Sequence, residues 1–423
     1  MLAPLLGGPV AVLGAGVSGR AVCDVLGRLG ARAEIFDEKA GAGAAQTFGA
    51  ADAERCRLVV FSPGFSADHA WLNVARAAGC TCLGELDFGS LFWSGRLVAI
   101  TGTNGKTTLT EFLTHALRAA GEPAFAVGNV GFPFSGLALK PVPAGAVAVC
   151  EVSSFQAETL RHFLADATLW TNFAEDHLER HHELDGYFSA KWNLIGRTRP
   201  GGLFLGSSVA RYARASGRRI PPEACVATEG AAPDARLDGT PFAGYPQREN
   251  FILAQAWWGR TGRSEAALYG AARSFRLARH RLARVGEIRG VSFWNDSKGT
   301  NFHAVEAALA TFSAPVHLIL GGRAKGGDLA AFVGRISGKC RHVWLIGETR
   351  ARLAAICVAA GLAHTVCGSL EEAVHGAASA ARPGEAVVLS PAFASFDMFH
   401  GYADRGDQFE RLVAGLGDSS IFQ

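Results

Sequence analysis

No run in the 423-residue chain approaches the roughly 18 consecutive apolar residues of a membrane-spanning helix, so membrane insertion is not expected. An excess of one charge is also missing. Lys and Arg total 41 against 38 Asp and Glu, and a net charge of +3 is too small to argue for nucleic acid or an anionic membrane as partner. The nine cysteines show neither Cys-x-x-Cys nor a Cys/His zinc spacing, and Cys80 and Cys82 lie too close for an ordinary ligand pair. They read as reduced, buried thiols of a cytosolic protein. The first nine residues lack the charged segment of a secretory signal, which agrees with a cytoplasmic location. Neither a fixed-period repeat nor a low-complexity tract is found.

Apolar residues make up 49% of the chain and charged residues 19%, the balance of a soluble globular protein. The length exceeds what one hydrophobic core serves and suggests two to four domains. Short apolar strands alternate with helical patterns, the signature of α/β units on parallel sheets. Strands are expected at Val10–Leu13, Ala33–Phe36 and Leu58–Phe61 in a first block. Runs 97–100, 146–150 and 168–170 belong to a second block, and 316–320, 342–346 and Ala386–Leu389 to a third. A fresh strand after Ser94-Gly95 marks one boundary, and a helical Ala- and Arg-rich segment ending near Arg279-His280 marks another. Residues 221–247, rich in Ala, Pro, Gly and Asp, read as surface loop or irregular strand.

The densest chemistry lies in Thr101-Gly102-Thr103-Asn104-Gly105-Lys106-Thr107-Thr108, between a strand and an amphipathic helix. Glycines there let backbone N–H groups turn inward, and the helix start adds partial positive charge facing a phosphate. Lys106 would reach the terminal phosphates and the Thr107 hydroxyl would bind Mg²⁺. The usual pattern puts four residues between its glycines and this one only two, but the flanking strand and helix fit.

Glu151 ends the next strand and opens Glu151-Val152-Ser153-Ser154-Phe155-Gln156. An acid at a parallel strand's C-terminal end, beside a phosphate loop, can hold Mg²⁺. Thr171-Asn172-Phe173-Ala174-Glu175-Asp176-His177 follows another strand, making His177 a candidate metal or substrate contact that Glu175 and Asp176 could orient. Lys191, in an aromatic-rich helical stretch, has no role that its local chemistry reveals. Upstream, Gly14-Ala15-Gly16-Val17-Ser18-Gly19 opens a helix after a strand and Asp37 closes the next. This fits a dinucleotide fingerprint but serves other diphosphate ligands, including sugar nucleotides. Ser62-Pro63-Gly64 is a second loop that could approach the same ligand.

Taken in order, these motifs resemble the Mur ligases of peptidoglycan synthesis over essentially the whole chain. Gly128-Asn129-Val130-Gly131, Asn295-Asp296-Ser297-Lys298-Gly299-Thr300-Asn301 and residues 389–397 extend the likeness, and Glu-Val-Ser-Ser-Phe-Gln discriminates most among its branches. The resemblance implies three α/β domains: a Rossmann-like one over 1–94, a central P-loop ATPase-like one with a parallel or mixed sheet over 95–279, and a Rossmann-like one over 280–423. The first would bind the uridine diphosphate through Val17, Ser18, Asp37, Glu38, Lys39 and Gly64, with Asn129 touching the muramoyl group. The second would bind ATP through Gly102, Thr103, Asn104, Gly105, Lys106, Thr107, Thr108 and Asn250, joined by Arg281, Asp296 and Lys298. Two Mg²⁺ ions would be held by Thr107, Glu151, His177 and Lys191, the lysine as a carbamate. Thr300, Lys325, Ser395, Phe396 and Tyr402 would bind the amino acid.

The implied reaction joins glutamate, with the D isomer expected, to UDP-N-acetylmuramoyl-L-alanine through an acyl phosphate, with the enzyme acting as a monomer. L-Glutamate or another amino acid is the alternative. Three positions depart from the family pattern: Glu249-Asn250-Phe251-Ile252-Leu253 keeps only the asparagine of a His-Asn-x-x-Asn stretch, Tyr402 replaces an apolar aromatic, and Phe396 is bulkier than expected. A nicotinamide oxidoreductase would rest on the first glycine loop alone, and a nucleotide switch would bind ATP without forming an amide.

Overall fold

Val10–Leu13, Leu58–Phe61 and Val147–Glu151 are buried at every position rather than at alternate ones. Such runs suit strands covered on both faces, the setting of parallel sheets with helical crossovers. The computed structural model describes residues 2–39, 43–227, 233–324 and 326–418, and among them sixteen strands form three sheets. No helix among the described residues is long and apolar enough to cross a membrane.

The first sheet contains β1 (Val10–Leu13), β2 (Ala33–Phe36), β3 (Leu58–Phe61) and β4 (Thr81–Gly84), all parallel in the order β2-β1-β3-β4. Leu13 pairs with both Phe36 and Phe61, so the loops after β1, β2 and β3 leave from one edge. The second contains β5 (Arg96–Thr101), β6 (Ala124–Gly128), β7 (Val147–Glu151), β8 (Ala167–Trp170), β9 (Leu203–Leu205) and β10 (Cys225–Val226). Its order is β10-β9-β8-β5-β7-β6 and every pairing is parallel.

The third sheet contains β11 (Ala283–Ile288), β12 (Val291–Asn295), β13 (Val316–Gly321), β14 (Cys340–Ile346), β15 (His364–Val366) and β16 (Ala386–Leu389), ordered β11-β12-β16-β13-β14-β15. Only β11 and β12 run antiparallel. Strand mixing therefore belongs to the third sheet, not to the central one where the sequence allowed it. Arg289 and Gly290, with φ of 52° and 76°, form the two-residue connection between β11 and β12. Positive φ at both positions is what a tight hairpin turn requires.

The chain divides into two compact units. The first takes in residues 1–173, 185–232 and 249–274, and with them the first two sheets. The second takes in residues 174–184, 233–248 and 275–423, including the third sheet. Within the first unit, the helix Glu85–Ser90 bridges two cores. Leu86 packs with Leu97, Phe134 and Phe163 under the second sheet, whereas Phe88 packs with Val10, Val22 and Leu83 under the first.

Two buried acids secure that bridge. Glu85 Oε1 accepts the Ser135 N–H at 2.7 Å, and burial pushes its carboxyl above the ordinary range. Asp87 Oδ1 accepts the N–H groups of His162 and Phe163 at 2.8 and 2.7 Å. Buried amides that lose their acceptor cost about 1–3 kcal/mol each. Asp87→Ala should accordingly lower the unfolding free energy by at least about 2 kcal/mol, and Asp87→Asn, which keeps an acceptor oxygen, by less. Urea or thermal denaturation of the two variants measures the difference.

Candidate active site

Parallel register sets the geometry of the second sheet's C-terminal edge. Ile100 of β5 pairs with Glu151 on one side and Leu169 on the other, so the loop after β5 emerges between the ends of β7 and β8. Gly102 has φ +146°, and a Cβ there would fall 1.9 Å from Thr171 Oγ1. At Gly105, φ is +82° and a Cβ would lie 2.7 Å from Asn250 Oδ1. Both glycines are thus required by backbone conformation and by close neighbours. Gly105 is the N-cap of the helix Lys106–Ala119, whose first turn carries no acid. An anion at that end meets free N–H groups and a favourable dipole.

Residues after β8 hold the loop in shape. Asn172 accepts the Thr103 N–H through its main-chain oxygen at 3.0 Å and the Asn104 N–H through Oδ1 at 2.9 Å. Thr171 Oγ1 donates to Asn104 O at 2.6 Å. The Lys106 amine donates to Gly102 O and Thr103 O at 3.0 and 2.8 Å, which curls it back over the loop. The Tyr187 hydroxyl lies 3.4 Å from Thr103 Oγ1. Thr171, Asn172 and Tyr187 were not selected from the sequence, although Thr171-Asn172 directly follows a strand, which was the available signal.

Glu151 is 2% exposed. Its Oε1 accepts Asn129 Nδ2 at 2.7 Å, while Oε2 has no hydrogen-bond partner among the described residues. Lys191 is also buried, with Nζ 3.3 Å from Thr101 Oγ1 and 5.0 Å from the Tyr187 ring centroid. The first unit therefore gathers Gly102 to Thr108, Asn129, Glu151, Lys191 and Asn250 around one sheet edge. Among the described residues no three His, Cys, Asp or Glu side chains form a ready metal cage. A magnesium site beside phosphates needs only one or two carboxylates from the protein.

On the first sheet, Asp37 ties the glycine loop down. Its Oδ2 accepts the Ala15 N–H at 2.7 Å and Oδ1 the Lys39 N–H at 2.9 Å, and these two bonds hold the carboxyl below its usual range. A Cβ at Gly14 would meet Ser62 Oγ at 2.6 Å and one at Gly19 would meet Gly14 O at 1.8 Å, whereas Gly16 has open space. Val17 is exposed and Ser18 stands beside it in the first turn of the helix Val17–Arg28. Glu38 lies 3.3 Å from His69 Nε2, a neighbour that sequence reading missed, and Gly64 faces open space.

The second unit holds the remaining candidates. His177 has φ 55°, with Nδ1 3.3 Å from Glu179 Oε1 and Nε2 3.7 Å from Asp176 Oδ2. Asp176 Oδ2 also accepts Asn301 Nδ2 at 2.9 Å, and His177, Thr300 and Asn301 line one small pocket with Phe393. Lys298 Nζ sits 3.8 Å above the Tyr402 ring. Ser395 is buried, Phe396 is 67% exposed, and Arg281 is half-buried beside the strained His280 and Leu282, with φ 65° and 51°. Lys325 lies outside the described residues.

Asp296 differs from a nucleotide contact open to solvent. It is nearly buried, Oδ1 accepts the Leu282 N–H at 3.1 Å and Oδ2 accepts the Ser390 hydroxyl at 2.7 Å. Burial pushes its carboxyl up to about 7. Nearby, the fully buried Arg405 donates to Ser297 Oγ and O and to Phe393 O, joining the loop after β12 to the loop after β16. Burial lowers its guanidinium to about 10. Sequence reading passed over Arg405, which sits within a helix 108 positions from its partner Ser297.

A phosphate loop on a parallel sheet, with a buried acid at the neighbouring strand end and a second glycine loop on the preceding sheet, is the arrangement of a P-loop nucleotide-binding protein. Residues 100–235 match the Mur ligase middle domain and residues 280–393 the Mur ligase, glutamate ligase domain. The chain belongs to the Mur ligase family. It is 36% identical over 444 aligned positions to a UDP-N-acetylmuramoylalanine–D-glutamate ligase of Gloeobacter violaceus, covering 96% of this chain and 99% of the relative. With the enzyme of that name from Desulfatibacillum aliphaticivorans it shares 34% identity, over 88% of this chain and 86% of the relative. The fold is also that of the MurF ligase from Thermotoga maritima in complex with ADP, with a TM-score of 0.58, 15% identity and coverage of 96% and 95% of the two chains.

The buried carboxyl of Asp296 generates a pH prediction. Its folded value of about 7 lies above the ordinary carboxylate value, so the folded protein binds the extra proton between the two. The stability from this group is present at low pH and is lost as pH rises through about 7. Melting temperatures of Asp296→Asn and wild type should therefore diverge in the variant's favour between about pH 5 and about pH 8.5. A constant difference across that range would contradict a raised Asp296.

Proposed function

We propose that this chain joins D-glutamate to UDP-N-acetylmuramoyl-L-alanine with ATP, forming an amide in the assembly of peptidoglycan precursors. The observation that carries this reading is its near full-length likeness, at 34–36% identity, to ligases of that name. The phosphate loop beside Glu151 supports the nucleotide half of the reaction.

Residues 1–94 take the uridine diphosphate at the edge bearing Val17, Ser18, Asp37, Glu38, Lys39 and Gly64, and Asn129 meets the muramoyl end. Residues 95–279 take ATP on the loop and the N–H groups of the helix Lys106–Ala119. Lys106, now bonded to loop carbonyls, exchanges them for phosphate oxygens. Residues 280–423 take glutamate through Thr300, Lys325, Ser395, Phe396 and Tyr402.

The residues fit magnesium. Glu151 Oε2 is a buried carboxylate oxygen without a hydrogen-bond partner among the described residues, and Thr107 stands in the first turn of the loop's helix. Bound there, the ion would offset the negative charge that separates a carboxylate nucleophile from the γ-phosphate. Lys191, as a carbamate, is assigned to a second ion, and His177 is kept as a candidate metal ligand of the other unit. The buried Lys191 amine beside Thr101 is compatible with that modification.

The alanyl carboxylate attacks the γ-phosphorus and ADP leaves. The glutamate amine then attacks the acyl phosphate, losing a proton, and phosphate leaves. Preorganised positive groups that meet developing charge contribute most of such an acceleration. Lys106→Ala should lower ADP formation by about 10²–10³-fold, the range seen for removal of one such group, while the protein stays folded. Undiminished ADP formation in that variant would overturn the assignment of the loop.

A further inference from the structure

Glu151 is held by more than its place at the end of β7. Gly128-Asn129-Val130-Gly131 wraps around its backbone, and a Cβ on Gly128, at φ +93°, would fall 2.3 Å from Glu151 O and 2.9 Å from Cys150 Sγ. The turn can approach this closely only with glycine there. Asn129 follows and makes two hydrogen bonds to the same residue. Its main-chain N–H donates to Glu151 O at 2.9 Å, and its side-chain Nδ2 donates to Glu151 Oε1 at 2.7 Å. The pairing of β6 with β7 sets this alignment, because Gly128 lies opposite Glu151.

The consequence concerns the two carboxylate oxygens. Oε1 is occupied by the Asn129 amide, whereas the buried Oε2 carries no hydrogen bond among the described residues. A carboxylate fixed at one oxygen and open at the other presents one oriented oxygen to a cation, with little rotamer freedom left to lose. We infer that Asn129 is a positioning residue for the metal-binding carboxylate: its side-chain amide orients Glu151 so that Oε2 receives the divalent ion of the nucleotide site. This rests on the proposed ligase reading and gives Asn129 a task beyond contact with the muramoyl substrate.

The inference is tested on the full-length enzyme by Mn²⁺ binding in the presence of ATP and without the muramoyl substrate, read by electron paramagnetic resonance or calorimetry. Asn129→Ala keeps the backbone N–H and removes only the side-chain amide. Loss of an outer-shell partner typically weakens metal affinity 10- to 100-fold, and Mn²⁺ affinity in Asn129→Ala should fall by about that much. Asn129→Ser serves as a second variant should the first fail to fold, as judged by its melting temperature.

Wild-type Mn²⁺ affinity in the folded variant, with only the apparent affinity for the muramoyl substrate reduced, would overturn the inference and leave Asn129 a substrate contact. Absence of ATP-dependent Mn²⁺ binding in the wild type would instead contradict the metal assignment of the proposed function. The two failures are thus distinguishable.

Discussion

The parallel pairing of β5 with β7 and β8 is the constraint on which the nucleotide site depends. It sets Ile100 opposite both Glu151 and Leu169, and so delivers a glycine loop, a buried acid and a Thr-Asn pair to one edge. Hydrogen bonds inside parallel strands are spent on the ladder, so backbone groups free to meet a ligand are concentrated where strands end and helices begin. The loop is further held by side chains from outside it, since Gly102 and Gly105 leave room only for Thr171 and Asn250. A β-carbon at either glycine would displace the neighbour that shapes the loop.

The first and third sheets use the same arrangement for different purposes. On the first, Asp37 accepts the Ala15 N–H and Ser62 packs against Gly14, leaving Gly16 open to solvent. On the third, Asp296 and Arg405 are buried ionisable groups engaged in internal hydrogen bonds, which fix the loops after β12 and β16. Burying a charge is costly unless hydrogen bonds compensate, and breaking such a network costs more than forming it gains. Glu85 and Asp87 play the corresponding part in the first unit, where one short helix serves two cores.

Local chemistry was legible in the sequence and long-range pairing was not. The phosphate loop, Glu151 at a strand end and the strands 10–13, 33–36 and 58–61 are signalled by contiguous residues. By contrast β4, β9, β10 and β15 run for only two to four residues and β6 ends in glycine, so tertiary pairing rather than propensity makes them strands. The hairpin between β11 and β12 turns on Arg289-Gly290 and lacks the usual Asn-Gly or Asp-Gly signal. Asn129 and Glu151 are 22 positions apart and Ser297 and Arg405 are 108 apart, so no sequence window contains either pair. The burial of Asp296 is not legible locally, because its partners, Leu282 and Ser390, come from two other segments.

The central claim is that the phosphate loop activates one particular carboxylate for one particular amine. The most direct measurement is phosphate release from ATP with UDP-N-acetylmuramoyl-L-alanine, comparing D-glutamate, L-glutamate and no amino acid. The account predicts release that requires D-glutamate, accompanied by a new amide product. Release that proceeds equally with L-glutamate, or that needs neither substrate, would contradict it.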